Sequence, residues 1–442
     1  AFFNLAVRNI LSTDFWDILK SSKDLRLVLF VPEGRKPLFE REFGAANVIV
    51  EEIPFRRMSR LNLLFHFLSW NLLSTHSKKI HRLVQLRKDN NYLMYWLSGF
   101  LGFLGRFNAA KKMFRWLDYN FSPWDVFDTW FNKYRPDLVL ATDIQDLRVQ
   151  ELSDTVLVRA AKHRGVSSLG MSRSWDAITT KGLLRTLPDT LVTQSENMKK
   201  MAVRYHGLDP DRVVAVGFPH YDSYVRGART DREVFFKRLK LNPNRRLIFF
   251  VPPSDLWTGD KSLNFYLLRL LVGLGEQVVV RFPLFGELDI GNFIPPDYMV
   301  FDKPRNVSQL EECFLDRKDD AHFVDLIYHS DVVLTGPSSV ILDAAILDKP
   351  AILLGFDGAA SKPYWKSLRR YYDYEHQLVV INGAGTRIAA SGQELVAHLQ
   401  ACLDDPRQGS VSRRMIAQKA CYSLDGRSGE RLARLVLKNL GL

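Results

Sequence analysis

The chain has 442 residues, a formal net charge of +12, 46% hydrophobic and 25% charged residues. This composition excludes a disordered or fibrous chain and leaves room for two or three globular domains. Its three cysteines, Cys313, Cys402 and Cys421, lie far apart without a CxxC pair, which argues against a disulfide framework or a metal site and for a reducing, cytoplasmic compartment.

The first residues, FFNLAV, read as an opening strand of a chain trimmed at its N-terminus, not as a signal peptide. A helix over Ser12–Lys20, the strand LRLVLFV, a helix near Leu38–Phe43 and the strand NVIVEEI follow. Strands separated by helices of this length indicate a parallel sheet with crossover helices.

Residues 54–117 break that rhythm. They hold twelve Lys/Arg against Asp89 alone, so nearly all of the net charge is in this segment and a general affinity for nucleic acid is not implied. Two apolar runs, RLNLLFHFLSWNLL and YLMYWLSGFLGFLGRF, contain Trp70 and Trp96, and Trp116 follows them. Their margins are basic: Arg56 and Arg57, Lys78 and Lys79, Lys111 and Lys112. Each run is shorter than the ~20 residues needed to span a bilayer. The pattern is that of helices lying in an anionic membrane interface; the alternative is helices packed on the sheet with basic outer faces.

From Arg135 the α/β rhythm resumes: PDLVLAT ending at Asp143, a helix over Val149–Arg164, the strand Val166–Gly170, then MSRSWDAITTKG, LPDTLVTQS, a helix over Glu196–His206, and RVVAVG leading to Gly217 and Pro219. Residues at the carboxyl ends of parallel strands line the ligand crevice of such sheets, which selects Asp143, Trp175, Asp176 and Pro219. Residues 220–246 read as a boundary. A second set of strands comprises RLIFFVPP, QVVVRFP with Arg281 at its end, YMVFD, DVVLT, AILL and LVVIN. The organisation expected is two facing Rossmann-like domains, 1–220 and 221–442, closed by an amphipathic helix over Glu430–Leu440.

The stretch Asp331–Gly358 carries the clearest site. After the strand DVVLT, Gly336-Pro337 makes a break, Ser338-Ser339 supply hydroxyls, and Val340–Leu347 reads as a helix starting at that point. Backbone N–H groups, two hydroxyls and a helix N-terminus suit a phosphate, although an ordinary capped helix fits the local pattern as well. P-loop, dinucleotide, zincin and nucleophile-elbow motifs are missing, and the D-x-D at Asp209–Asp211 reads as a turn. A diphosphate held by Ser338, Ser339 and Arg281 can depart without a metal, while Asp143 or Asp176 deprotonates an acceptor hydroxyl. Helix capping or a buried ion pair is the alternative for both carboxylates.

TGPSSVILDAAILDKPAILL resembles the T-x-x-S-S-x-x-x-D-x-A-x-x-x-K-P signature of GT-B transferases related to CDP-glycerol glycerophosphotransferases. In that group the pattern binds the donor's phosphates, with Asp343 expected to secure the helix. SWDAITTKG is similar to an S-W-D-N-x-T-x-K-G segment of related surface-carbohydrate proteins, with Ala177 in place of Asn. VGFPHYDSY resembles a G-x-P-x-x-D hinge turn that brings in Gly217, and LDGRSGERLARLVL a D-G-x-x-x-x-R segment opening a helix that crosses back to the first domain. The family often has His-Pro after the strand in its second domain; here the residues are Arg281-Phe282-Pro283.

The resemblance implies a GT-B glycosyltransferase without a cofactor, peripheral on the inner face of the cell membrane. It takes a nucleotide-diphosphate sugar as donor and a lipid-linked or glycan hydroxyl as acceptor, with no nucleic acid involved. Polyol-phosphate transfer from a CDP-polyol, epimerisation of UDP-N-acetylglucosamine, and an inactive membrane-associated scaffold are the alternatives.

Overall fold

The computed structural model describes all residues except 1–5, 146–149, 228, 260, 284–287, 305–316 and 383–385, and leaves out the side chains of Leu256 and Trp257. The chain forms two compact units: Ala1–Asp222 together with Asp425–Leu442, and Ser223–Leu424.

The first unit holds a parallel pair, β1 (Leu27–Pro32) and β2 (Val48–Ile53), and a four-stranded sheet. That sheet is β3 (Leu138–Ala141), β4 (Ser167–Met171), β5 (Thr190–Thr193) and β6 (Val213–Ala215), parallel in chain order. The helix Ser428–Leu440 covers this core. It buries Leu432, Ala433 and Val436 with Ile10, Phe15 and Leu19 near the start of the chain and with Leu169, Met171 and Val192 of the sheet.

The second unit is built on six parallel strands: β7 (Leu247–Val251), β8 (Gln277–Arg281), β9 (Met299–Asp302), β10 (Val332–Thr335), β11 (Ala351–Leu354) and β12 (Arg387–Ala389). Their order is β12-β11-β10-β7-β8-β9. Ile248, Phe249 and Phe250 of β7, Val278–Val280 of β8 and Val332–Leu334 of β10 are all fully buried. Continuous apolar runs of this kind are what a parallel sheet covered on both faces requires.

Three expectations change. FFNLAV does not make a strand in the described residues: residues 1–5 lie outside them, and Val7–Leu11 is helical. The helix expected from Val149 begins at Asp154, and Val149 itself is outside the described residues. LVVIN is part of a helix, Glu375–Ile381, in which His376, Gln377 and Val380 are buried while Leu378 is exposed. That three-to-four-residue burial spacing is helical, and the place beside β11 is taken by the three-residue β12.

Residues 54–121 form four helices, Arg60–Leu72, His76–Asp89, Tyr92–Leu104 and Asn108–Phe121. Their own apolar core is small: Phe65, Leu72 and Phe114 with Leu183. A buried polar network completes the attachment. Asp118 accepts from Arg159 Nη2 at 2.9 Å and from Arg185 Nε and Nη2 at 3.0 and 2.7 Å. Arg185 also reaches Asn62, whose amide donates to Glu151 at 3.0 Å. Burial opposes ionisation of Asp118, but the Arg185 hydrogen bonds and the Arg159 charge outweigh it and hold the carboxyl below its ordinary range.

Removing one member of such a group leaves an uncompensated buried charge, at a cost of about 3–5 kcal/mol. Asp118→Ala is therefore expected to lower unfolding stability by that amount in urea titration. Breaking the exposed Arg41–Glu42 pair should cost less than about 1 kcal/mol. Because the Asp118 pKa is depressed on folding, its contribution is present at neutral pH and is lost as pH falls below about 4.

Candidate functional site

In the second unit the chain runs from β7 to β8 and β9 on one side, then crosses to β10 on the other side of β7. The point where strand order reverses lies between β7 and β10, and ligands of open α/β sheets bind outside the carboxyl ends of the strands there. Register places Thr335 beside Val251, so the crevice is formed by Pro252-Pro253-Ser254 on one side and Gly336-Pro337-Ser338-Ser339 on the other. Gly336 keeps this approach close: a Cβ there would stand 3.3 Å from Cβ of Pro253, a tight contact.

The two serines differ. Ser338 Oγ lies 3.1 Å from Thr335 Oγ1 and accepts the Val340 N–H at 3.2 Å, so its hydroxyl caps the helix Val340–Ile346. Ser339 is exposed and makes no side-chain cap. Asp343 is buried within that helix. Arg281 does not fit the role of a free cation for a diphosphate. It is buried, paired with Asp302 and, at 2.7 Å, with Asp319. His322 Nε2 meets the other oxygen of Asp302 at 2.9 Å.

In the first unit, the carboxyl end of β3 delivers Asp143 into a buried position. One oxygen stands 3.1 Å from Arg173, and the Asp143 N–H donates to Asp154 at 2.6 Å. The other oxygen, Oδ1, has no hydrogen-bond partner among the described residues. Burial pushes the carboxyl up to about 6, with Arg173 pulling it down and Asp154 pushing it further up. Asp176 has a different setting. It accepts from Ser174 and from Thr180 Oγ1, with Lys181 at 3.6 Å, at the start of the short helix Ala177–Thr180. Of the two candidates Asp143 is the one whose carboxylate retains an uncommitted oxygen.

Gly217 and Pro219 build a joint. Gly217 has φ +92°, and a Cβ on it would come within 2.3 Å of Ser428 Oγ. Pro219 opens the turn Pro219–Tyr221 that delivers Asp222, which accepts from the N–H groups of Ser428 and Gly429 at 2.9 and 2.7 Å. Arg431 ties Asp425 to the Val216 carbonyl. The two motifs, 206 residues apart at the Asp222–Ser428 bond, cap and dock the C-terminal helix. The D-x-D is also structural: Asp209 caps the turn Pro210–Arg212.

The four-helix segment shows a broad apolar face. Leu93 is 80% exposed, Trp96 71% and Trp116 62%, and Phe55, Phe100, Phe103, Phe107 and Met113 are exposed with them. Arg56, Arg57, Lys79 and Lys112 are exposed in the same segment. Lys78 and Lys111 correct the expectation of basic surface residues. Lys78 is buried with its ammonium 3.4 Å from the Trp70 ring centre, and burial holds its pKa well below the usual value. Lys111 is buried and donates to Asn108 at 3.3 Å. Among the described residues no helix is long and apolar enough to cross a membrane.

Three residues that sequence reasoning missed brace these positions. Arg173 partners Asp143. Arg185 fixes the segment after the SWDAITTKG motif. His206 accepts the Leu184 N–H at Nδ1 and meets the Ile178 carbonyl through Nε2, at 3.0 and 2.7 Å; burial takes its pKa down to about 3.

The family model described as CDP-Glycerol:Poly(glycerophosphate) glycerophosphotransferase matches residues 158–438. The chain is 25% identical over 191 residues to the teichoic acid poly(ribitol-phosphate) polymerase of Bacillus spizizenii, covering 42% of this chain and 28% of that protein. It is 22% identical over 247 residues to the teichoic acid glycerol-phosphate transferase of Staphylococcus aureus, covering 52% and 55%. The matched part thus spans between about a quarter and just over half of these curated relatives' length. Among solved structures, the S. aureus MnaA–UDP co-structure superposes with a TM-score of 0.52 at 12% identity, covering 99% of this chain and 94% of that one. At that identity the likeness concerns the fold alone, which is of the GT-B type.

A carbon-detected NMR titration is expected to give Asp143 a midpoint of about 6. A folded pKa above the unfolded value near 3.9 means that the native state holds the proton longer. This carboxyl's contribution to stability is therefore full below pH 4 and is lost as pH rises toward 6. Asp143→Asn should remove that slope, and a midpoint near 4 would contradict the assignment.

Proposed function

The chain belongs to the CDP-glycerol:poly(glycerophosphate) glycerophosphotransferase family, and from that membership we propose that it transfers a polyol-phosphate group from a CDP-polyol to a hydroxyl of a surface-polymer acceptor. The observation that carries this reading is the family match over residues 158–438, which includes the whole second unit and the joint at Gly217–Asp222.

The crevice between β7 and β10 is assigned to the donor. Ser339 is placed on the diphosphate, with Ser338 holding the turn by accepting the Val340 N–H. Asp143, ionised above about pH 6, is assigned the acceptor proton. The acceptor oxygen forms a bond to the phosphorus that carries the polyol. The bond from that phosphorus to the bridging oxygen breaks, CMP leaves with the electron pair, and the proton rests on Asp143. Fixed dipoles at the helix start stabilise the charge on the departing phosphate, and the reading requires no metal.

The four-helix segment is assigned to an anionic membrane surface, where a lipid-linked acceptor would be met. The support is the exposed Leu, Phe and Trp side chains beside basic ones with hardly any acid, the composition of an interfacial helix. Sugar transfer from a nucleotide-diphosphate sugar stays as a second reading, favoured by Arg281-Phe282-Pro283 standing where the family often has His-Pro.

Turnover with CDP-glycerol, CDP-ribitol and a set of UDP- and GDP-sugars separates the two. CMP release is expected with a CDP-polyol and should be unchanged by EDTA, whereas UDP or GDP release would favour sugar transfer. Ser338→Ala with Ser339→Ala should lower kcat/KM at least tenfold, a loss of about 1.4 kcal/mol or more; unchanged nucleotide binding would remove the donor assignment. Vesicles containing anionic lipid should pellet the protein at low salt and lose it as salt screens the charge. Trp96→Glu with Phe100→Glu should abolish pelleting.

A further inference from the structure

The edge of the six-stranded sheet opposite the donor crevice has a cavity of its own. Where β11 and β12 begin, a partly open cavity of about 230 Å³ is lined by Pro350, Ala351, Arg387, Cys402, Gln408, Gly409 and Arg413. The crevice stands at the other end of these strands, a separation of about 13 Å for four extended residues. The volume is below the roughly 300–1,000 Å³ typical of sites for larger organic ligands. It therefore suits a small ion or a small phosphate ester and excludes a whole nucleotide.

Two arginines line it. Arg413 is buried, and most of its donors are committed: Nε to the Asp348 carboxylate at 3.0 Å, Nη1 to the Gln408 carbonyl at 2.6 Å, and Nη2 to the carbonyls of Asp348 and Pro406 at 3.1 and 3.0 Å. Those bonds hold Asp348 in its left-handed conformation, φ +53°, and fix the cavity wall. Arg387 is different. Among the described residues its guanidinium bonds only to Gln408 Oε1, which leaves most of its five N–H donors available. Asp348 is shared by Arg413, Arg414 and Ser410 and cannot also neutralise Arg387. Burial raises the pKa of Cys402 although both arginines oppose it, so this wall adds no negative charge. Gly409, which also lines the cavity, precedes the helix Ser410–Cys421, which has no acidic residue in its first turn and no side-chain cap. Its positive end adds to the field.

We propose that this cavity binds a small phosphate dianion through Arg387, at a site separate from the donor crevice. Planar guanidinium donors match phosphate oxygens in pairs, and Arg413, paired with Asp348, holds the wall beside Arg387 in place. The site is independent of which group the crevice transfers.

Calorimetric titration of the full chain with inorganic phosphate in chloride buffer tests this, with glycerol 3-phosphate in a parallel arm to separate the free ion from an ester. One saturable site is expected. Arg387→Ala should weaken it at least about tenfold, the loss for one charge-assisted contact, while Arg387→Lys should weaken it less. Ser338→Ala with Ser339→Ala should leave it intact, which distinguishes this site from phosphate entering the crevice. Absence of saturable binding, or binding that survives Arg387→Ala, would overturn the proposal.

Discussion

The first unit depends on one buried carboxylate. Asp118 sits on a helix of the basic insertion, Arg159 on the helix that packs against β3 and β4, and Arg185 on the segment that follows the SWDAITTKG motif. Two guanidinium groups on one carboxylate could not be left unpaired where all three are buried, so each element fixes the position of the other two. The apolar core of the insertion is a handful of residues. A four-helix segment with so much apolar surface turned outward cannot hold itself in place by burial alone. The ion network supplies the directional attachment that the small core lacks, and Thr75 and Arg115 add bonds to the carbonyls of Thr179 and Leu184. The surface assigned to a membrane and the loop nearest the candidate carboxylates are thereby one rigid construction.

The parallel architecture was legible chiefly because the six-stranded sheet is made of short, saturated apolar runs such as LIFFV and QVVV; the four-stranded sheet has the more polar SSLGM and TLVT. The amphipathic C-terminal helix was legible for the same kind of reason. LVVIN was misread because four apolar residues satisfy a strand and one face of a short helix equally. The strand that does pair with β11, β12, is only Arg387–Ala389 and has too few residues to show a period.

Site residues divided along a different line. The turn that carries Ser338 and Ser339 could be placed because strand, break and helix form a local pattern. Arg281 could not, because the acids that neutralise it lie 21 and 38 residues away. Lys78 and Lys111 show the same limit from another direction. A charge count registers a lysine but not the helix face it occupies, and Lys78 is turned onto Trp70. Asp143 and Asp176 looked equivalent at strand ends. Only their neighbours separate them: hydroxyls and a lysine for Asp176, and one arginine with a second carboxylate for Asp143.

The docking of Ser428–Leu440 on the first unit also sets a timetable for biosynthesis. The second unit, Ser223–Leu424, is threaded into the first as an insertion between Asp222 and its capping partners. A ribosome working at about 5–20 residues per second needs roughly 10–40 s to produce it. During that interval Leu169, Met171 and Val192 wait without the helix that covers them, while the second unit can complete its own sheet. Folding of the N-terminal half therefore finishes last, and the exposed β-sheet face in the interim is where aggregation or a chaperone would intervene.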